Sequence, residues 1–337
     1  MKWYDRISNT DDVVISSRVR LARNLEGFAF PHRLDEDSSK KVSLAVKTAL
    51  ENAYGNSLVF NEIKGDKSSA VAVEEHIISP QFASDSDIYR ALMTNDDNSL
   101  AIMINEEDHV RIQAILPGFK IKEAYQIANG ADDAVIGGCN VAFDEKYGFL
   151  TSCPTNLGTG LRASVMLHLP ALGAYGYIKS IVNLMNKIGL TVRGMYGEGS
   201  ESLANLYQLS NQVTLGISEE DTIKKLESAV NQIVEREREM RKKLLEERKN
   251  EIYDKLWRSY GTLRYARRID TKEASSLISN VRLASVCGII PETKDKNLIK
   301  LLFEIMPSHI LERFPDAENE ALRDKYRADI IRQFLTE

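Results

Sequence analysis

Five arginines are spaced so that several of them can reach one face of a sheet. Arg18 and Arg20 alternate along one segment, and the others are Arg111, Arg162 and Arg193. The planar guanidinium of arginine binds phosphate oxygens in pairs and stays charged at any useful pH. A triphosphate bound without a phosphate loop needs several such groups and a metal ion. Surface-facing arginines are also common in sheet proteins, so the residues alone leave their convergence open.

An acidic run at residues 106–108 offers carboxylates for a cationic substrate. Glu107 and Glu198 would together orient a guanidinium through paired hydrogen bonds and accept a proton as its nitrogen attacks phosphorus. A guanidinium has a pKa above ~12 and is a poor nucleophile, so alignment and proton removal must be built into the site. An exposed acidic turn is the alternative explanation of this run.

A glycine-rich segment at residues 158–163 fits a relaxed dinucleotide-binding pattern. No acidic residue follows at the expected ~20 positions, which argues against a Rossmann site. We expect the segment to open a helix, where its backbone N–H groups and Arg162, in the first turn, could bind an anion. A tight turn with a surface arginine is the alternative. His76, in a strand predicted over residues 74–78, could stack on a base, and Cys153 precedes the loop, although each also fits a structural role.

Familiar nucleotide and metal motifs are absent from the sequence. It contains no GxxxxGK(S/T) phosphate loop, no HRD or DFG kinase motif and no HExxH metal motif. Any handling of ATP would therefore need another architecture.

The elements that must position these residues are strands joined by hairpins. Residues 15–21 alternate polar and apolar, which predicts a half-buried strand with Arg18 and Arg20 on one face. Residues 100–104 and 110–116 predict a hairpin around the acidic turn, and residues 191–193 a further strand. This pattern predicts an α+β fold with an antiparallel sheet flanked by helices.

The composition changes near residue 235. Residues 218–221 resemble a helix-starting capping box, and 12 of the 16 residues from 235 to 250 are charged, which predicts a solvated helix. Only helices are predicted beyond it. The sequence therefore predicts two domains, a mixed domain over residues 1–237 and a helical domain over residues 238–337.

The bulk composition is that of an ordinary globular chain, with 43% hydrophobic and 28% charged residues. The net charge of −5 argues against general nucleic-acid binding. Three scattered cysteines give neither a disulfide framework nor a zinc pattern. No apolar run reaches the ~18 residues of a membrane span, and the N-terminus lacks a signal-peptide core. We therefore expect a cytoplasmic protein without membrane contact.

Four segments together resemble the guanidino (phosphagen) kinase family. They read SSRVR at 16–20, NEEDH at 105–109, CPTNLGTG at 153–160 and RASV at 162–165. They occur in the family's order over roughly residues 10–235, about two-thirds of the chain. The resemblance implies a guanidino-kinase-like catalytic domain that uses ATP and Mg²⁺, with an antiparallel sheet flanked by helices.

The resemblance also implies site residues by their position in the motifs. Glu107 and Glu198 match the catalytic carboxylates, and Cys153 matches a cysteine near the substrate guanidinium. No metal ligand from the protein is implied. The implied ATP site comprises Ser16, Ser17, Arg18, Val19, Arg20, His76, Arg111, Arg162, Ala163, Ser164, Val165, Met166, Arg193, Gly194, Met195, Tyr196 and Gly197.

Two departures from the metabolic members of the family point to protein substrates. We expect the helical N-terminal domain of those enzymes to be missing, because the first strand motif begins almost at Met1, and the loop at 193–198 differs from theirs. Both features resemble the bacterial protein arginine kinases of the family, which carry a helical C-terminal domain. Residues 323–328 are similar to their RDxxRA motif, which implies an allosteric phosphoarginine-binding pocket formed by Arg323, Asp324, Arg327 and Ala328. Spacing alone would predict a solvated helix edge.

That closer resemblance implies a set of partners. They are protein substrates with an exposed arginine, a zinc-binding activator (McsA), a Clp C-type unfoldase, a CtsR-type stress-gene repressor and a second copy of the chain in a homodimer. Two alternatives stay open: a kinase that acts on free arginine or another small guanidine, and an inactive adaptor that binds phosphoarginine.

Overall fold

The structure, a computed structural model, describes residues 2–7, 11–63, 67–84, 86–194 and 202–336. One eight-stranded sheet has the order β2-β3-β4-β5-β1-β8-β10-β9, and β6 pairs with β7 in a separate hairpin. The register is antiparallel for β1–β5, β2–β3, β3–β4, β4–β5 and β6–β7. The strands are β1 (Val14–Arg23), β2 (Val59–Glu62), β3 (Ala91–Thr94), β4 (Leu100–Ile104), β5 (Val110–Pro117), β6 (Phe143–Asp144), β7 (Gly148–Phe149), β8 (Leu161–His168), β9 (Leu190–Gly194) and β10 (Leu206–Asn211).

Along the chain, helices lie between several of the strands, and they also make up the C-terminal region. The first six are α1 (Glu36–Tyr54), α2 (Lys67–Glu74), α3 (Pro80–Ala83), α4 (Ile121–Gly138), α5 (Pro170–Ala174) and α6 (Ile178–Lys187). The described residues beyond β10 contain only helices and connections. These helices are α7 (Glu219–Glu247), α8 (Lys249–Tyr265), α9 (Thr271–Val286), α10 (Leu298–Glu304), α11 (Pro307–Arg313) and α12 (Glu320–Thr336). The predicted fold class is confirmed.

The chain divides into two compact units. The first comprises Met1–Trp3, Ser16–Ser164 and Ser210–Glu227, and the second comprises Tyr4–Ile15, Val165–Leu209 and Ser228–Glu337. The boundary that the sequence places between residues 237 and 238 falls inside α7. The division into domains 1–237 and 238–337 stays a prediction.

The two faces of β1 have different surroundings, as the alternating sequence predicts. Val19 and Leu21, which share one face, are fully buried. Arg18 and Arg20 point to the other face and are partly exposed. The predicted strand, its parity and the hairpin of β4 and β5 are therefore confirmed.

A short helical segment covers part of the face that carries the arginines. Ile77, Ile78 and Phe82 pack there on Leu92 and Met103 of the sheet. The strand predicted over residues 74–78 is wrong, because α2 ends at residue 74 and a turn leads into α3. Ile77 and Ile78 pack on the sheet, which accounts for their apolar character. An apolar run this short does not distinguish a strand from a turn that packs on a sheet.

The start of α7 follows the predicted capping box. The hydroxyl of Ser218 accepts a hydrogen bond from the backbone N–H of Asp221 at 3.0 Å. The expectation of a wholly solvated helix at 235–250 is wrong for one face, since Glu237 and Arg241 are buried. Glu237 accepts the backbone N–H groups of Ala171 and Leu172 at 3.1 and 2.9 Å and pairs with Arg241 at 2.8 Å. Glu237, one turn before Arg241 on α7, thus provides the acceptor for free backbone N–H groups at the N-terminus of α5.

Candidate active site

Four arginines of the first unit converge on one face of the sheet, which we call the arginine face. Arg18 and Arg20 lie on β1, and Arg111 lies on β5 opposite Ala22. Arg162 lies on β8, the other neighbour of β1. Burial, and then the positive charges of Arg18, Arg111 and Arg162, hold the pKa of Arg20 well below its usual value. Such clustering of like charge is unfavourable unless an anion binds there.

The arginine face fits the phosphate groups of a nucleotide. In the part of the chain that the structure describes, the Nε atom of Arg20 is buried and has no hydrogen-bond partner. A buried donor without a partner costs about 1–3 kcal/mol. A phosphate oxygen would both accept that hydrogen bond and neutralise the cluster.

Glu106 anchors one of the arginines. Its buried carboxylate forms an ion pair with Arg111 and accepts a hydrogen bond from the hydroxyl of Ser79. Burial raises the pKa of Glu106, but Arg111, Ser79 and the backbone N–H of Glu107 outweigh it, so the pKa is lowered. Glu106 is therefore ionised and holds Arg111 in place. Nothing in the sequence distinguishes Glu106 from its acidic neighbours, because only its partners in the fold show what its carboxylate holds.

Glu107 is the half-buried member of the acidic run. Burial raises the pKa of Glu107 most, Arg111 opposes that rise, and the charges of Asp108 and Glu106 add to it. The thiol of Cys153, which shares a hydrogen bond with the hydroxyl of Thr155 at 3.0 Å, opposes the rise of the Glu107 pKa least. A carboxylate with a raised pKa beside a cationic cluster is suited to accept a proton from a substrate. The structure thus brings Glu107 and Cys153 close to the arginine face, and their catalytic roles stay a prediction.

Asp108 fixes the segment that carries the cysteine. Its buried carboxylate accepts the side-chain amide of Asn24 at 2.7 Å and the backbone N–H of Ser152 at 2.6 Å. Because Ser152 precedes Cys153, these bonds place the thiol beside Glu107. The three carboxylates of one run therefore have three different surroundings.

The ends of the NEEDH turn are held by neutral side chains. Asn105 has a positive φ of 63° and donates through Nδ2 to the carbonyl oxygens of Ser39 and Tyr89, at 3.0 and 2.8 Å. His109 accepts the N–H of Leu25 through Nδ1 at 3.0 Å and donates through Nε2 to the carbonyl of Ala29 at 2.8 Å. Burial lowers the pKa of His109, which agrees with this neutral tautomer. Both residues fix the turn rather than perform chemistry.

Arg23, which no sequence motif points to, holds the loop after Cys153. Its guanidinium donates to the carbonyl of Thr159 at 2.9 Å and to Asp132 at 2.6 Å, and lies 3.5 Å from the ring centre of Phe149. It is 1% exposed, on the face of β1 away from Arg20. Its role depends on partners more than 100 residues away, so no local signal could have revealed it.

The glycine loop leads into a strand. We expected Arg162 to open a helix, and that expectation is wrong, because β8 begins at Leu161. Gly160 has a φ of +63°, and a Cβ there would lie 2.6 Å from the carbonyl oxygen of Ala22. Glycine is needed at this crossing of β1, where Ala22 donates its N–H to the carbonyl of Gly160 at 3.1 Å. The arginine therefore reaches the site from a strand.

His76 lies in the turn after α2, with a φ of +60°. Burial, and then the charge of Arg18, lower the pKa of His76 to about 3. The imidazole is therefore neutral at physiological pH and close to Arg18. A neutral ring beside a phosphate-binding cluster is suited to contact a nucleotide base, which stays a prediction.

Other predicted ATP ligands have structural contacts. The hydroxyl of Ser17 donates to the carbonyl of Gly118 and accepts the N–H of Lys120, both at 2.9 Å. Ser164 donates to the carbonyl of Arg18 at 3.5 Å, and Ala163 donates its N–H to the Asn211 side chain at 2.8 Å. Their contact with ATP stays a prediction, as it does for a set of buried residues: Ser16, Val19, Val165 and Met166.

Some predicted site residues lie in the second unit or outside the described residues. Arg193 is exposed near the end of β9. Gly194 ends that strand and is the last described residue before the gap at residues 195–201. The remainder of the predicted loop lies outside the described residues: Met195, Tyr196, Gly197 and Glu198.

Solved guanidino kinases share the fold of this chain. The duplicated taurocyamine kinase from Schistosoma mansoni, with bound transition state analog components, aligns with a TM-score of 0.60 and 29% identity. The alignment covers 69% of this chain and 35% of that one, so this chain matches about a third of its length. Lombricine kinase aligns with a TM-score of 0.59 over 70% of both chains, and at 24% identity it supports the fold alone.

Sequence comparison decides the family. Residues 37–240 match the model of the ATP:guanido phosphotransferase C-terminal catalytic domain, and residues 249–337 match that of the protein-arginine kinase McsB C-terminal domain. The protein-arginine kinase of Syntrophomonas wolfei is 44% identical over 97% of this chain and 93% of its own length. That of Halalkalibacterium halodurans is 44% identical over 99% of this chain and 94% of its own length. The chain is a guanidino kinase of the protein-arginine kinase branch.

The C-terminal region of this guanidino kinase carries the RDxxRA segment on α12. Arg327 is 1% exposed, and its guanidinium donates to the carbonyl oxygens of Ile305 and Ile269, both at 3.0 Å, and to Asp324 at 2.7 Å. Arg323 is half-buried and donates to the carbonyl of Glu318 at 2.6 Å. The solvated helix edge that spacing alone predicts is therefore wrong for Arg327. A phosphoarginine pocket that includes Ala328 stays a prediction.

Replacing Arg327 by Met should lower the free energy of unfolding by about 3 kcal/mol. The change removes the donor from two carbonyl groups, of Ile305 and Ile269, and leaves Asp324 with only the longer contact to Arg268 at 3.4 Å. Arg323→Ala is the matched control on the same helix, and we expect it to cost about 1 kcal/mol or less, because the Glu318 carbonyl that it contacts at 2.6 Å lies near solvent. Urea unfolding of the whole chain measures both. Equal effects of the two substitutions would show that Arg327 is not a structural anchor.

The described residues add three limits on other kinds of site. They contain no group of three or more His, Cys, Asp or Glu side chains arranged to hold a metal ion. None of the helices they form has both the length and the apolar character needed to cross a membrane. Cys139, Cys153 and Cys287 are free thiols in this guanidino kinase.

Proposed function

We propose that this guanidino kinase transfers the γ-phosphoryl group of ATP to arginine side chains of proteins. The observation that carries the proposal is the convergence of four arginines beside one half-buried carboxylate, Glu107, whose pKa burial raises. The arginine face supplies positive charge for the phosphates, and Glu107 supplies a base for a cationic substrate.

The reaction places a distinct demand on each group. Arg18, Arg20 and Arg162 bind the phosphates and stabilise the charge that spreads over the transferring phosphoryl group. Glu107 orients the substrate guanidinium and accepts a proton at its carboxylate oxygen. As that proton leaves, a nitrogen–phosphorus bond forms and the bond from the γ-phosphorus to the ADP oxygen breaks. Mg²⁺, bound through the nucleotide phosphates, would add charge neutralisation.

Several observations favour protein arginine over a small guanidine. The relatives that match over nearly the full length carry the name protein-arginine kinase. The C-terminal residues match the C-terminal domain of McsB. In the proposed arrangement Glu198 is the second carboxylate on the substrate guanidinium, and Arg193 to Gly197 complete the nucleotide site.

The biological setting follows from the same kinship and is part of the proposal. The enzyme acts in the cytoplasm as a homodimer through its helical domain, and Arg323, Asp324, Arg327 and Ala328 form a regulatory phosphoarginine pocket. It marks damaged proteins for a Clp C-type unfoldase, modifies a CtsR-type repressor and is activated by the zinc-binding partner McsA.

Comparison of two substrates tests the proposed specificity. The purified protein would be incubated with MgATP and either casein or free arginine, and initial rates of ADP release would be measured. We expect transfer to casein at least about tenfold faster per arginine than to the free amino acid, because the relatives that match over nearly the full length are named protein-arginine kinase. Faster turnover of free arginine would assign the chain to the metabolic branch. Activity on neither, with or without the zinc-binding partner, would favour a phosphoarginine-binding adaptor.

A further inference from the structure

Gln113 lies in the middle of the arginine face. It is the cross-strand partner of Arg20 and stands two residues from Arg111 on β5. Its side chain is 3% exposed, so its amide must find partners within the fold. The amide of Gln113 forms its hydrogen bonds with backbone groups and not with Arg20 or Arg111. The Nε2 atom donates to the carbonyl oxygens of His76 at 2.7 Å and of Ile77 at 3.1 Å.

The backbone that Gln113 holds is in an uncommon conformation. The φ of +60° at His76 lies in the left-handed region, which residues other than glycine rarely adopt. A backbone in this region persists where neighbouring groups hold it through several contacts, and such conformations are frequent at binding sites. The indole N–H of Trp3 donates to the carbonyl of Glu75 at 3.0 Å, immediately before the turn. Gln113 restrains the same turn from the sheet below.

We propose that Gln113 is a positioning residue for nucleotide binding, which holds the His76 turn against the arginine face so that the imidazole meets the bound ATP. The inference rests on the proposed function, because it requires ATP to bind on that face. Gln113 acts through His76 and does not touch the reacting atoms. Its loss therefore affects the affinity for ATP more than the chemical step.

A double-mutant cycle with His76 tests this coupling. Gln113→Met keeps the length of the side chain and removes the donor. We expect KM for ATP to rise about tenfold, with kcat and KM for the protein substrate changed less than twofold. In a His76→Ala background the same substitution should leave KM for ATP unchanged, because the residue through which Gln113 acts is gone. A merely structural role would not produce this loss of effect.

Two further variants keep the test decisive. Gln113→Asn retains a buried amide that is one methylene shorter, and it should show the same KM defect if Gln113→Met fails to fold. Asn95→Ala removes an amide that bonds Ser99 and the N–H of Leu100 at the β3–β4 turn, and it should lower Tm without changing KM for ATP.

Each outcome of the cycle has one meaning. An unchanged KM for ATP in a folded Gln113 variant, or a full effect in the His76→Ala background, would overturn the inference. A wild-type protein that transfers no phosphoryl group to protein arginine would instead overturn the proposed function. If the wild type is active and Gln113→Met has the same KM for ATP as the wild type, the inference fails while the proposed function stands.

Discussion

Replacing Glu107 by Gln is expected to lower kcat for phosphoryl transfer by about 10²–10⁴-fold, the usual contribution of a positioned general base. Glutamine keeps the size of the side chain and hydrogen-bonding oxygen, but it accepts no proton from the guanidinium. KM for ATP should change little, because Glu107 faces the substrate guanidinium in the proposed arrangement. Steady-state kinetics with a protein substrate measure both constants. Glu145→Gln, an exposed change on the β6–β7 hairpin, is the matched control.

The pH dependence of the wild type gives a second test of Glu107. Burial raises its pKa, and a base must be ionised to work, so activity should be lost as the pH falls through that raised pKa. The acid limb of kcat/KM should therefore lie above the range of an ordinary glutamate. Its absence in a residually active Glu107→Gln variant would assign the limb to this residue. A Glu107→Gln variant with wild-type kcat would refute the assigned base.

Replacing Arg20 by Met is expected to lower kcat/KM at least about 10³-fold while leaving Tm unchanged or higher. Arg20 is central to the charge cluster, so phosphate binding and stabilisation of the transferring group both suffer. The folded protein without ATP, by contrast, loses a positive charge that Arg18, Arg111 and Arg162 repel. Sites that bind a charged ligand commonly sacrifice stability in this way.

Thermal unfolding and kinetics on the same preparation separate the two effects of Arg20→Met. Arg33→Met, an exposed substitution in the first unit, should change neither quantity. Adding MgATP should raise the Tm of the wild type and should not raise that of Arg20→Met. Retained activity together with lower stability would mean that Arg20 is an ordinary structural arginine.

The strands, and the face of the sheet on which each residue lies, could be predicted because the alternation of polar and apolar residues is a local feature of the sequence. Arg18 and Arg20 share a face for the same reason that Val19 and Leu21 share the core, and the register confirms both. The family motifs supplied what alternation does not, namely that Arg111 and Arg162 join the same face. The structure of the first unit brings these four together and leaves Arg193 to be tested.

The parts that escaped prediction depend on long-range partners. Glu106 and Glu107 are identical in sequence terms, and only the contacts of Glu106 with Ser79 and Arg111 distinguish an anchor from a base. Arg327 looked like a surface residue because its acceptors at 269 and 305 lie far away along the chain. Arg162 was placed on a helix because a glycine loop can precede either kind of element.

The central claim is tested most directly by the chemical nature of the product. The protein would be incubated with MgATP and casein, and phosphorus NMR would be recorded under non-acidic conditions, because nitrogen–phosphorus bonds are acid-labile. We predict a phosphoarginine resonance on the protein substrate with wild-type enzyme and none with Glu107→Gln. Phosphate found only on hydroxyl side chains, or an equal phosphoarginine signal from the Glu107→Gln variant, would contradict the account.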